Sequence, residues 1–231
     1  MNVRKKSHLL LLAVGVPVLL AMGVSLLNDR RYHLISAAIV ILACLPFFRL
    51  YEAKKADTRI LVVIAIMTAL SVVGRFIFAP IPGFKPVTAM VILSGMYLGS
   101  EAGFLTGALS AVISNMFFGQ GPWTPFQMFS WGMIGLIAGL PLIRRLLRRK
   151  IWLVIYAVFS GMLYSLLMDI WSTLSMDMGF NWGRYLVKMI SALPFTAVYA
   201  LSNVVFLLLT RRPLGEKLER LQVKYGIGCQ T

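Results

Sequence analysis

Eight apolar runs, cut apart by clusters of lysine and arginine, dictate what this chain can become. They span roughly Leu9–Leu27, Leu34–Tyr51, Ile60–Ala79, Val87–Gly99, Ala102–Phe118, Phe126–Ile143, Ile151–Ser172 and Val187–Thr210. Most approach the ~20 residues needed to cross a bilayer core. Backbone in lipid must satisfy its own hydrogen bonds, so each run is expected as a helix. A composition of 59% hydrophobic and 13% charged residues exceeds what a soluble core calls for. The fourth run is short for a crossing, so its flanks must extend it or protein must enclose it.

The net charge of +15 raises the question of nucleic acid. The placement of the basic residues answers it, because they cluster at the ends of apolar runs. That pattern fits anionic headgroups and the positive-inside rule. Eight crossings put both termini on one face. With the N-terminus inside, the inner segments carry Arg4, Lys5 and Lys6, then Arg49, Lys54, Lys55 and Arg59. They also carry Arg144, Arg145, Arg148, Arg149 and Lys150, then Arg211, Arg212, Lys217, Arg220 and Lys224. The outer segments hold Arg30, Arg31, Arg75, Lys85, Arg184 and Lys188. The excess predicts a cell (cytoplasmic) membrane protein with both termini inside.

Arg4, Lys5 and Lys6 before Leu9–Leu27 resemble a signal peptide. The apolar run exceeds the usual signal core and no small-x-small cleavage site follows, so a retained transmembrane helix is expected. The domain reading is two N-terminal transmembrane helices over 1–51, a charged cytoplasmic linker over 52–59, a six-helix bundle over 60–212 and a tail over 213–231. In the tail, Leu214, Leu218 and Leu221 recur at helical spacing, predicting an amphipathic helix on the inner leaflet. Cys44 and Cys229 are too few for a disulfide framework, and neither has metal-ligand spacing to a Cys or His. His8 and His33 read as interfacial residues at helix edges.

Enzyme signatures are scarce: HExxH, GxSxG and GxxxxGK[ST] are all missing from the chain. No catalytic residue and no metal site is expected, and a partner subunit must supply any ATP hydrolysis. Polar and aromatic residues gather instead at the outer ends of the last six runs. The connector Asn115–Trp131 carries Asn115, Gln120, Trp123, Gln127 and Trp131, far more than a plain turn needs. Amides beside aromatic rings suit a pocket for a flat, partly apolar molecule. An ordinary hairpin with interfacial aromatics would use the same residue types.

Arg75 and Asp169 lie within apolar runs, where ionisable groups face protein or water. They serve a ligand, neutralise each other or snorkel to the interface. Lys85, Trp171, Trp182 and Arg184 complete the outer set. Thr124-Pro125 predicts a helix start, with Thr124 as N-cap. Ala65-x-x-x-Ala69 and the Gly95, Gly99, Gly103, Gly107 ladder mark close helix contacts.

Three of these features together resemble the S components of energy-coupling factor (ECF) vitamin transporters. They are Ala65-x-x-x-Ala69, the Gly95–Gly107 stretch and Gly119-Gln-Gly-Pro-Trp-Thr-Pro-Phe-Gln-Met-Phe-Ser-Trp-Gly132. The resemblance covers roughly Arg59–Arg212, and the last segment is most similar to S components assigned to cobalamin. It implies an all-α integral membrane fold, a six-helix S-component bundle preceded here by two additional transmembrane helices. It implies a transport subunit that captures a vitamin from outside, with cobalamin as the transported ligand and no permanently bound cofactor. Implied partners are the lipid bilayer, a shared ECF transmembrane subunit and two ATPase subunits. Ala65 and Ala69 would face the shared subunit, and the loop Ile77–Pro86 would gate the pocket.

Trp123, Trp131, Trp171 and Trp182 would cover ring faces. Asn115, Gln120, Gln127 and Asn181 would pair with amides, and Arg75, Lys85 or Arg184 would meet a phosphate. Another vitamin or precursor would use the same residue types. A different class, an integral-membrane enzyme acting on lipid or prenyl groups, would rest on Asp169 and Asp177 alone.

Overall fold

A computed structural model describes residues 58–121, 123–177 and 181–227, with side chains to 173 in the second stretch. The two N-terminal spans, both cysteines, both histidines and most of the charged linker fall outside these residues. The described chain is helical: α1 Thr58–Ile77, α2 Val87–Leu98, α3 Ser100–Phe118, α4 Thr124–Ala138, α5 Pro141–Leu147, α6 Lys150–Asp177 and α7 Trp182–Tyr225. Four of these, α1, α3, α6 and α7, are long and apolar enough to cross a membrane. A fifth span results if α4 and α5 count as one broken crossing.

Close backbone contact holds α2, α3 and α4 together, and glycine makes it possible. A Cβ built on Gly103 would lie 2.3 Å from the Gly135 carbonyl oxygen, and one on Gly135 would lie 2.2 Å from that of Gly103. Gly95 meets the same Gly135 carbonyl, and Gly107 meets the backbone of Trp131. The glycine ladder therefore serves internal packing. Gly99, at φ 110°, is the joint between α2 and α3, a conformation that other residues adopt only with strain.

The fourth apolar run is indeed short, with 12 helical residues in α2. That gives about 18 Å, against about 30 Å of hydrocarbon. Almost every residue of α2 is buried, because α1, α3, α4 and α7 surround it. The irregular backbone beside it, exposed over 79–82, satisfies its polar groups by bonding to itself and to α7. Tight turns bond Ala79 N to Phe76 O, Ile81 N to Phe78 O and Phe84 N to Ile81 O. Ser202 on α7 then takes the Lys85 N–H at 2.8 Å and donates to the Lys85 carbonyl at 3.1 Å. Phe78 and Phe84 pack with Phe206 of α7, ring centres 4.8–5.9 Å apart.

Three expectations need correction. The run Phe126–Ile143 is not one straight helix: α4 and α5 meet at a 79° bend. Gly139 there lies so close to Ser100 that a Cβ would sit 2.2 Å from its backbone nitrogen, and Leu140 is extended before Pro141. Thr124 is not the N-cap of α4, a position held by Trp123 without a side-chain bond. The Thr124 hydroxyl instead accepts from Asn115 and from the Gly121 N–H.

The tail also differs. Helix α7 runs through Pro213 to Tyr225 and ends on Gly226 in the left-handed conformation. Its leucine face packs on the protein: Leu218 is buried, and Leu214 and Leu221 lie against the core. A Cβ built on Gly215 would lie 2.6 Å from the Tyr97 hydroxyl, and the Gln222 amide donates to the Tyr97 carbonyl. The helix here continues α7, and the end of α2 packs on its apolar side.

Candidate functional site

A polar network crosses the bundle through the ends of α1 and α3, the start of α4 and the middle of α6. Arg75 near the end of α1 donates from Nη1 to Ser114 Oγ and, at 2.8 Å, to Asn115 Oδ1. Asn115 Nδ2 donates to Thr124 Oγ1 at 2.9 Å and to Gln127 Oε1 at 2.8 Å. Gln127 Nε2 continues to the Tyr164 hydroxyl on α6 at 3.3 Å. Asn115, Thr124, Gln127 and Tyr164 are all buried. Their pairing is what makes burial tolerable, since each orphaned buried group would cost about 1–3 kcal/mol.

Aromatic rings line the same place. Trp131 is 1% exposed and stacks on Tyr164, with centres 5.3 Å apart and planes 12° apart. Tyr199 of α7 meets Tyr164 edge-on at 5.2 Å. The Arg75 guanidinium lies 4.8 Å from the Phe118 ring centre and 5.5 Å from that of Trp131. Lys85 is delivered by the loop 78–86. Its ammonium sits 5.5 Å from Trp131, 5.8 Å from Tyr164 and 5.7 Å from Tyr199. As a residue Lys85 is half-buried. Two cations, two amides and a stacked aromatic pair thus converge. Such a set can cover a flat ring and hydrogen-bond its polar edge.

Of the residues singled out in the sequence, Arg75, Lys85, Asn115, Gln127 and Trp131 come together here. Gln120, Trp123 and Trp182 do not. Gln120 is exposed and folds back to the Val112 carbonyl at 2.9 Å. Trp123 is 37% exposed, packed on its own loop at Gly121, and Trp182 is 71% exposed. Arg184 is half-buried beside Trp182 in the first turn of α7. Asn181 is the N-cap of that helix, accepting from the Arg184 N–H at 3.1 Å. Its amide oxygen is occupied by that role.

Trp171 is half-buried, its ring 5.5 Å from Phe126. Asp169 is buried in the field of Lys188, and no ion pair joins it to Arg75. The arginine is held by neutral acceptors instead. The side chain of Asp177 lies outside the described set. Ala65 and Ala69 are exposed on α1, within an apolar face that includes Val62, Ile66 and Val73.

Sequence reading missed Ser114, Tyr164 and Tyr199. A tyrosine inside an apolar helix looks like packing, but its hydroxyl needs a partner when buried, and that was the available signal.

Comparison with known proteins is consistent with this arrangement. A UPF0397 protein from Aliivibrio salmonicida (strain LFI1238) is 29% identical over 149 residues, covering 62% of this chain and 78% of that protein. No solved structure matches. Residues 55–218 match the family described as ECF-type riboflavin transporter, S component, a family of transport subunits rather than enzymes. With well over half of its length matched, and with several apolar membrane-spanning helices, this chain belongs to the ECF-type riboflavin transporter S component family.

Proposed function

We propose that the cluster around Arg75, Lys85, Asn115, Gln127, Trp131 and Tyr164 captures a vitamin with a flat ring system from the outer face. The cargo is then released inward with a shared ECF membrane subunit and two ATPases. The observation that carries this reading is the convergence of hydrogen-bonding groups and stacked rings at one depth, reached from four helices and one loop. The basic bias of the other end of the bundle supports the outward orientation. Ala65 and Ala69, small and exposed on α1, suit close approach by a partner helix.

A flavin is the favoured cargo. The family's description names riboflavin, and a tricyclic ring matches an indole–phenol stack with amides at its edge. The corrinoid suggested by Gly119–Gly132 is the second reading, favoured by that segment alone. Its broad ring would need Gln120, Trp123 and Trp182, which lie apart from the buried cluster. The test is a titration of full-length protein in detergent with riboflavin and with cyanocobalamin, read by tryptophan quenching. Saturable quenching by riboflavin is expected. A response to cyanocobalamin alone would move the assignment to a corrinoid, and no response to either would remove the ring-ligand reading.

A further inference from the structure

Arg75 and Lys85 bring two basic side chains to one cluster, and no carboxylate of the described residues balances them there. Among the described residues, Arg75 hydrogen-bonds through Nη1 alone, to Ser114 and Asn115. Among the described residues, the Lys85 ammonium has aromatic rings for neighbours and no hydrogen bond or ion pair. Both charges lie 5.5 Å from the centre of the Trp131 ring. Charges at membrane depth ordinarily pair with an opposite charge, and like charges brought together repel. Asp169, the buried carboxylate of this region, makes no ion pair with either.

We propose that the transported ligand carries an anionic group, a carboxylate or a phosphate, which docks between Arg75 and Lys85. This rests on the reading that the cluster is the ligand site. The remaining guanidinium nitrogens of Arg75 offer the planar fork that binds such oxygens in pairs, and Lys85 adds a donor from the loop that follows α1. Lys85 also belongs to the loop 78–86, whose backbone is clasped by Ser202.

The experiment compares riboflavin with riboflavin 5′-phosphate on full-length protein, the same ring without and with an anion. Phosphate-bearing ligand binding at least tenfold tighter is expected, with Lys85→Met narrowing the advantage to below threefold. Equal affinities would overturn the proposal and leave the flavin reading intact. If neither flavin binds, the flavin reading fails and small anions decide. Sodium phosphate or sodium acetate should then raise the melting temperature above sodium chloride at equal ionic strength, in wild type but not in Lys85→Met. The effective anion distinguishes phosphate from carboxylate, and no rise, or the same rise in the variant, overturns the proposal. The wild-type comparison stands alone if the variant does not fold.

Discussion

Asn115 uses both ends of its amide, accepting from Arg75 and donating to Thr124 and Gln127. Replacement by leucine would keep the branched shape and orphan the groups around it. Each buried group left without a partner costs about 1–3 kcal/mol. For a chain of this size, Asn115→Leu should lower the melting temperature by about 3–10 °C. Ligand affinity should fall at least tenfold, because Arg75 loses the acceptor that aims it. Gln120 is the contrast, an exposed amide bonded to the Val112 carbonyl. Gln120→Ala should leave both quantities almost unchanged, as surface substitutions do. Thermal melting and ligand titration check the pair. If Gln120→Ala weakened binding as much as Asn115→Leu, the ligand would belong on the exposed loop.

Between elements, the tightest joint is the one where α3 crosses α4 at Gly103 and Gly135. The obstacle to any side chain there is the other helix's backbone, which has no rotamer to change. Gly103→Ala must push α3 off α4, and overpacking of this kind costs about 1–3 kcal/mol. Because α3 carries Asn115 and α4 carries Gln127, the shift should also damage the polar network. A lower melting temperature, together with weaker ligand binding, is expected in calorimetry and titration. Unchanged stability would mean that the helices have room the contacts deny. The same scale explains what the sequence could reveal. Helix positions were legible because lipid permits little else for a long apolar run. The break at Gly139–Pro141 was not, since Gly-Leu-Pro continues the apolar pattern and the bend depends on packing against Ser100. Asn115, Gln127 and Trp131 were legible as an excess of amides and rings in one connector. Gln120 and Trp123 carried the same signal yet point elsewhere, because side-chain direction is decided by neighbours distant in sequence. Thr124 followed the N-cap rule locally and lost to Asn115, which claims its hydroxyl.

At the scale of the whole molecule, the proposed capture cluster and the proposed coupling face occupy different surfaces. The capture cluster is inside the bundle, whereas Ala65 and Ala69 lie on the outward face of α1 with Val62, Ile66, Leu70 and Val73 exposed around them. Helix association in lipid depends on close backbone approach, which small side chains permit and leucine blocks. Residues of α1 on the other face, Ile64, Met67 and Ser71, are the ones buried in the bundle. A change at 65 and 69 therefore leaves the internal packing alone. The double variant Ala65→Leu/Ala69→Leu should bind ligand within threefold of wild type and melt within about 2 °C of it, because exposed substitutions change stability little. The same variant should fail to co-purify with the ECF membrane subunit and ATPases, and uptake in cells should fall to background. Binding assays on the isolated chain and uptake assays on the assembled transporter separate the two effects. Loss of ligand binding in this variant would show that the outward face of α1 also shapes the interior, and normal uptake would place the partner contact on another helix.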